Sequence, residues 1–141
     1  MSEENVELAK RLYGHWNAGA ESELQDLIHP GFEYTTSGTF PGFDPVYRGQ
    51  GGFAKFRREM LEAWEYLDLE PRAIEDRGEW LLVDLRFHGK GRESGAEVHL
   101  EFHHAAQIRD GLLYRLAAKP SRDAALEAAG LPERGYRLPH E

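Results

Sequence analysis

The sequence predicts an α+β fold in which one bent antiparallel sheet packs its apolar face on helices. Helical spacing of apolar residues dominates the first half of the chain, and alternation dominates most of the second half. The clearest stretch is AEVHLEFHHAAQI at 96–108, which is typical of one long strand and ends in the turn Arg109-Asp110-Gly111. A single imidazole, His104, interrupts its apolar face, so we expect that face to form the floor of a core or pocket.

Three helices are predicted before the main sheet. The first begins at Ser2 and ends at Asn17-Ala18-Gly19, and its apolar face is formed by Val6, Ala9, Leu12, Tyr13 and Trp16. The second, at 21–28, is stopped by His29-Pro30-Gly31, because proline disfavours a helical residue before it. The third starts near Gly51, and its apolar stripe is formed by Phe53, Phe56, Met60, Trp64 and Leu67. These faces predict helices that cover the sheet.

A short strand at 32–36 and a glycine-rich loop separate the second helix from the third. The loop, 37–49, contains three glycines, two prolines and the aromatic residues Phe40, Phe43 and Tyr47. Aromatic area of this kind needs a surface to pack on, so the loop is either pinned by its rings or forms a flap over a cavity. The sequence does not choose between these two interpretations.

The C-terminal half is typical of a β-meander. Asp110-Gly111 forms the hairpin turn between the last two of four predicted strands, which span 67–75, 80–88, 96–108 and 112–119. Ser121 can cap a last helix that runs through Ala129 and is closed by Gly130. The residues that follow carry no periodicity, so we expect a single domain over 1–130 and a loose tail over 131–141.

Composition excludes several classes of function. The 141 residues carry a formal net charge of −8 and include no cysteine. An acidic surface repels nucleic-acid phosphates, and the sequence has neither a long apolar run nor a basic amphipathic helix. Without cysteine there is no disulfide, thiolate metal site or cysteine nucleophile. Since the charged N-terminal segment does not read as a signal peptide, we expect a cytoplasmic domain without a nucleic-acid or membrane partner.

Four segments carry a resemblance to a known family, namely EENVELAKRLYGHWNAGAESELQDLIHPGFEY, PVYRGQGGF, RDGLLYRL and DAALEAAGL. In these segments the chain resembles the SnoaL-like (polyketide-cyclase-like) branch of the nuclear-transport-factor-2-like superfamily. The resemblance implies a cone-shaped fold in which a curved sheet wraps around the long helix and leaves a pocket open at one end. It also implies a homodimer through the outer sheet face. Members include isomerases, cyclases, hydrolases, dehydratases and non-catalytic binding domains, so the fold does not assign a function.

Ketosteroid isomerases of this superfamily need a carboxylate base, a tyrosine and a protonated carboxylic acid. On the resemblance, the tyrosine position falls on Leu12, the base position near Thr35 and the second acid on His104. None of the three groups is preserved, so we do not expect steroid-isomerase chemistry.

The first strand allows two orientations. Alternation turns Phe32 and Tyr34 inward, whereas the resemblance turns Glu33 and Thr35 towards the cavity, and we favour the second orientation. With Glu33 inside, a Glu33–His104 pair could hold one imidazole tautomer and raise its basicity, which makes both residues candidate catalytic groups. The alternative is a core histidine satisfied by a backbone carbonyl or a tyrosine hydroxyl.

The predicted pocket is largely apolar. With His104, its lining is Tyr13, Trp16, Thr35, Phe53, Phe56, Met60, Trp64, Leu81, Val83, Leu85, Phe102 and Ala106. We expect it to bind a small hydrophobic molecule. One function is cofactor-free proton transfer, as in isomerisation, cyclisation or dehydration, with His104 as acid and base. Another is non-catalytic binding in which His104 only orients the ligand, and a third is a dimerisation module with a filled core.

The opposite face of the two central strands is polar. It carries carboxylates, imidazoles and one guanidinium, at Asp84, Arg86, His88, Glu97, His99, Glu101 and His103. Such ligands suit divalent transition metals, but alternate spacing along a strand is a weak metal signature, and no HExxH motif is present. We therefore expect a salt-bridge lattice or a homodimer contact on this face, with no metal and no cofactor.

Overall fold

The computed structural model describes residues 2–36 and 42–132. The helices in these ranges are α1 (Ser2–Ala18), α2 (Glu21–Gln25), α3 (Gly49–Ala63) and α4 (Arg122–Ala129). The strands are β1 (Ile28–Thr35), β2 (Val46–Arg48), β3 (Trp64–Arg77), β4 (Trp80–Gly91), β5 (Glu97–Arg109) and β6 (Leu112–Lys119). None of the helices described here is long and apolar enough to cross a membrane.

The strands form one open sheet in the order β2-β1-β6-β5-β4-β3. β1 and β6 pair in parallel, with Tyr34 opposite Leu116, and the other neighbouring strands pair antiparallel. The α+β class is confirmed, but the sheet is mixed, so the expectation of a wholly antiparallel sheet is wrong at this one pair. Because β2, α3 and three further strands separate β1 from β6, the connection is long enough to allow a parallel pairing.

The long strands predicted in the second half of the chain are confirmed. In the register of the sheet, Val83 of β4 lies opposite His104 of β5, and His104 lies opposite Ala118 of β6. All three residues are buried on the inner face. The centre of β5 is therefore the floor of the core, with His104 at its middle.

Two helices are shorter than their periodicity predicts. α2 ends at Gln25, and Ile28 already belongs to β1. α3 ends at Ala63, and Trp64 begins β3, where its ring packs 4.8 Å from that of Phe87 between centroids. Ile28 and Trp64 are apolar residues that fit the end of a helix as well as the start of a strand. Pairing with a neighbouring strand places both of them in the sheet.

The loop predicted at 37–49 is described only from residue 42 onward. Residues 37–41, including Phe40, lie outside the described residues, as do residues 133–141 of the predicted tail. The described part contains β2, in which Tyr47 is buried, and Phe43, whose ring lies 5.9 Å from that of Phe56. Both rings pack on the core. For residues 37–41, the pinned loop and the flap over a cavity both stay predictions.

α4 covers part of the outer sheet face, which the sequence did not predict. The predicted caps are present, since Ser121 Oγ accepts a hydrogen bond from the Ala124 N–H at 3.1 Å and Gly130 ends the helix at φ 69°. α4 helps to form a second, smaller core made of Leu82, Ala105, Ala125 and Leu126. Near the start of β5, away from α4, His99 is exposed. The outer face is therefore apolar beneath α4 and polar beyond it.

Candidate functional site

One side-chain amide fixes α1 to the sheet. Asn17 donates from Nδ2 to the Leu69 carbonyl at 2.8 Å and accepts from the Leu69 N–H at Oδ1, also at 2.8 Å. This double contact with β3 sets the rotation of α1 about its axis. Tyr13 and Trp16, on the preceding turn, face the inside of the fold and are 8% and 7% exposed.

A small cavity lies between α1, α3 and the inner face of the sheet, with a volume of about 60 Å³. A cavity of this size has room for a few water molecules or a small organic group. Its lining is almost wholly apolar and is formed by Ala9, Leu12, Tyr13, Trp16, Leu24, Tyr34, Phe53, Phe56, Met60, Leu69, Phe102, His104, Ala106, Ile108, Leu113 and Leu116. Within this described lining there is no carboxylate, no lysine and no aliphatic hydroxyl.

Two polar side chains meet in this apolar setting. The Tyr13 hydroxyl lies 2.7 Å from Nδ1 of His104, and the two rings are nearly parallel, with centroids 5.8 Å apart. The edge of Phe102 closes the other side of the imidazole at 5.2 Å between centroids. His104 is 6% exposed. This contact matches the alternative predicted from sequence, in which a core histidine is hydrogen-bonded to a tyrosine hydroxyl.

Burial holds both members of the pair in their neutral forms. It lowers the pKa of His104 from 6.5 to about 3, with a smaller contribution from His103. Burial also raises the pKa of Tyr13 far above its usual value, and the neighbouring Tyr34 adds to that shift. Because a neutral imidazole has two tautomers, the hydrogen bond can run in either direction. When Nδ1–H donates to the Tyr13 oxygen, the phenolic proton is left to bond a ligand.

Trp16 forms one wall of the cavity and is itself supported by a buried cation. The guanidinium of Arg57 lies 4.3 Å from the Trp16 ring centroid and is held by Glu21 through Nε and Nη2, each 3.0 Å from Oε2. The indole Nε1 is buried, and the described residues give it no hydrogen-bond partner. A buried donor of this kind is uncommon, and an acceptor on a ligand would satisfy it.

Most of the residues predicted to line the pocket surround the cavity. These are Tyr13, Trp16, Phe53, Phe56, Met60, Phe102, His104 and Ala106. Leu81, Val83 and Leu85 are at most 2% exposed but lie in the close-packed part of the core, outside the cavity lining. Trp64 belongs to β3 and packs on Phe87 instead.

Glu33 and Thr35 do not line the cavity, contrary to the orientation that we favoured from the resemblance. β1 follows simple alternation, so that Phe32 and Tyr34 are 1% and 3% exposed and face inward. The Glu33 carboxylate lies on the other side of the sheet, 3.1 Å from Arg48 Nε and 3.8 Å from Arg115 Nε. Glu33 therefore cannot orient His104, and that role belongs to Tyr13.

Sequence reasoning missed several residues of the cavity lining. Tyr34 could have been found from alternation alone. The others are apolar residues that the pattern places in the core but not beside a space, at Ala9, Leu12, Leu24, Leu69, Ile108, Leu113 and Leu116. A space depends on how side chains of α1 and α3 meet the sheet, which periodicity does not encode.

Comparison with known proteins places this geometry in a family. The family model described as "SnoaL-like domain" matches residues 9–116. That range holds α2, α3 and β1 to β5 together with most of α1 and of β6, and so contains the cavity and the Tyr13–His104 pair. A search of curated proteins gives no match to the chain.

Solved structures share the fold at low sequence identity. TerC co-crystallised with polyporic acid is 20% identical over 88% of this chain and 96% of its own, with a TM-score of 0.75. An NTF2-like protein from Burkholderia xenovorans LB400 is 17% identical over 91% of this chain and 97% of its own, with a TM-score of 0.72. A protein from Jannaschia sp. CCS1, assigned as a SnoaL-like polyketide cyclase, is 19% identical over 94% and 95%, with a TM-score of 0.71. At these identities the likeness concerns the fold.

Proposed function

The chain belongs to the SnoaL-like domain family, and we propose that it binds a small, mainly apolar, oxygen-bearing molecule in the cavity beside Tyr13 and His104. The observation that carries this proposal is the buried Tyr13–His104 pair in a largely apolar lining. Ligand sites in proteins commonly combine apolar walls with a few convergent polar groups. The co-crystallisation of TerC with polyporic acid supports a ligand site within this fold.

The polar atoms of the cavity favour a carbonyl or similar acceptor on the ligand. The Tyr13 hydroxyl donates to such an oxygen when His104 Nδ1–H donates to Tyr13. Trp16 also lines the cavity, and its indole N–H is buried without a partner among the described residues, so a ligand acceptor that reaches it gains a further donor. Hydrocarbon parts of the ligand pack on Phe53, Phe56 and Phe102.

The same pair can carry cofactor-free proton transfer. Tyr13 hydrogen-bonds the carbonyl oxygen, and neutral His104 removes a proton from the adjacent carbon and returns it to another atom of the same molecule. No electrons leave the ligand, so the step balances without an oxidant or a cofactor. Since burial disfavours the imidazolium, the negative charge that develops on the ligand has to offset the positive charge on His104.

The second candidate is binding without catalysis. It is favoured by the lowered pKa of His104, which makes the imidazole a weak base, and by a described lining that holds no carboxylate to share the proton. In this case the Tyr13–His104 pair orients the ligand through one hydrogen bond. Both candidate functions predict that a ligand binds in the cavity, but only the first predicts turnover.

We also propose that two copies pair through the part of the outer sheet face that carries Asp84, Arg86, Glu101 and His103. Both signs of charge alternate there, as in Arg86 with Glu101 at 3.5 Å and His103 with Asp84 at 3.0 Å. A two-fold axis on such a surface sets cations of one copy against carboxylates of the other.

Native mass spectrometry tests the binding proposal directly. We expect the native mass to correspond to two chains, and the difference between native and denatured masses to show a retained small molecule. Protein freed of that molecule is then titrated with it, or with a set of small cyclic ketones if none is retained. Tyr13→Phe should weaken binding at least tenfold, whereas Tyr66→Phe, on an exposed ring outside the cavity, should not. Equal affinities in wild type and Tyr13→Phe would overturn the proposed polar contact.

A further inference from the structure

A second side-chain cluster lies on the outer face of the sheet, beyond the area covered by α4. His88 of β4 and His99 of β5 stand directly opposite each other in the strand register. Their rings are stacked, with centroids 4.2 Å apart and planes 14° apart. Glu97 precedes His99 by two residues and so shares its face of β5. One ligand atom from each of the three side chains lies within 4.8 Å of those of the other two.

His88 carries a nitrogen that its surroundings leave unsatisfied. Its Nε2 is buried, and the described part of the chain gives it no hydrogen-bond partner. The edge of the Tyr66 ring covers one side of the imidazole at 5.5 Å between centroids, and the His99 ring covers another. Buried imidazole nitrogens normally bond a donor, an acceptor or a metal, so this nitrogen calls for a partner from outside the chain.

We propose that His88, Glu97 and His99 bind one divalent transition-metal ion, with Zn²⁺ as the reference metal. Two imidazoles and one carboxylate are a ligand set that zinc accepts, and a fourth position is left for water. Bonds of about 2.1 Å to zinc bring tetrahedral ligand atoms about 3.4 Å apart, so the cluster has to contract. Glu97 and His99 are exposed, so their side chains have room to turn towards a shared ion. The Glu97 carboxylate then exchanges its hydrogen bond with the Tyr66 hydroxyl for a bond to the metal.

The charged groups around the cluster favour a bound cation. Lys90 stands opposite Glu97 in the register, but its Nζ lies 3.9 Å from Oε1 of Glu65, on the other side of β4. Asp68 of β3 stands opposite His88 and adds a carboxylate to the neighbourhood. The whole chain has a formal net charge of −8, which favours cation binding in general. This site lies across the sheet from the cavity and does not depend on the function proposed for it.

Isothermal titration of untagged, chelator-treated full-length protein with ZnCl₂ tests the site. We expect one Zn²⁺ per chain with a dissociation constant in the micromolar range. His99→Ala should weaken binding at least about tenfold, because one of three protein ligands is lost. The matched control is His103→Ala, which removes an imidazole from the same face of β5 outside the cluster. Circular dichroism confirms that both variants fold.

Spectroscopy identifies the ligands independently of affinity. With Cu²⁺ in place of Zn²⁺, the electron paramagnetic resonance spectrum should show two coordinated imidazole nitrogens in wild type and one in His99→Ala. The proposal is overturned if no metal binds up to 1 mM, or if His99→Ala and wild type bind alike. It is also overturned if His103→Ala weakens binding as much as His99→Ala does, since the ion would then be held by the face as a whole.

Discussion

The Tyr13 hydroxyl and His104 Nδ1, 2.7 Å apart and separated by 91 positions in the sequence, tie α1 to the centre of β5 inside an apolar cavity. Each group is the other's one hydrogen-bond partner among the described contacts, and both are buried. The contact therefore has two consequences, one for stability and one for the polar chemistry of the cavity. Each can be measured separately.

Tyr13→Phe should lower the free energy of unfolding by about 1–3 kcal/mol. The substitution keeps the ring and its packing but leaves His104 Nδ1 buried without a partner. Chemical denaturation at pH 7 measures the change, and Tyr66→Phe, which removes a hydroxyl from a ring 39% exposed, serves as the control. An unchanged midpoint in Tyr13→Phe would mean that water or a rearranged side chain replaces the hydroxyl.

Acid should destabilise the protein through His104. Burial lowers the pKa of His104 in the folded state to about 3, below the 6.5 of the unfolded state. Between these two values the unfolded chain binds a proton that the folded chain refuses, so stability is full above pH 6.5 and falls as the pH drops towards 3. The slope from this one group is about 1.4 kcal/mol per pH unit.

His104→Asn isolates that contribution, because the amide does not titrate. Denaturation midpoints of wild type and variant are compared at pH 8, 6, 5 and 4. The difference at pH 8 gives the loss of packing and hydrogen bonding, and we expect the variant to lose less stability than wild type on acidification. Parallel pH profiles of the two proteins would show that the pKa of His104 is the same in the folded and unfolded states, and would contradict the effect of burial.

The fold could be predicted from sequence because β4 and β5 are long strands whose apolar residues alternate over most of their length. The cavity could be predicted only in part. Which residues border an empty space depends on how α1 is rotated by the contact between Asn17 and Leu69, which are 52 positions apart. The orientation of Glu33 follows the alternation of Phe32 and Tyr34, and the opposite orientation that the resemblance predicts is wrong at this strand.

Arg57→Lys should destabilise the wall of the cavity by about 1–3 kcal/mol. The lysine keeps the charge but loses the planar stack on Trp16 and the two-point contact with Glu21. Arg58→Lys is the matched control, since Arg58 is the next residue and is exposed. Denaturation followed by circular dichroism measures the stability, and tryptophan fluorescence, to which Trp16, Trp64 and Trp80 all contribute, reports the change around the rings. Equal effects of the two substitutions would show that the buried guanidinium contributes no more than an exposed one.

Glu33→Gln should leave the cavity unaffected. The carboxylate pairs with Arg48 and Arg115 at the sheet surface and is 35% exposed, so its loss removes only screened ion pairs. We expect the free energy of unfolding to change by no more than about 0.5 kcal/mol. Ligand affinity, and turnover where it is found, should equal those of wild type, in contrast to Tyr13→Phe. A tenfold loss of either in Glu33→Gln would mean that β1 turns its other face inward when a ligand binds, and that Glu33 rather than Tyr13 is the partner of His104 in the complex.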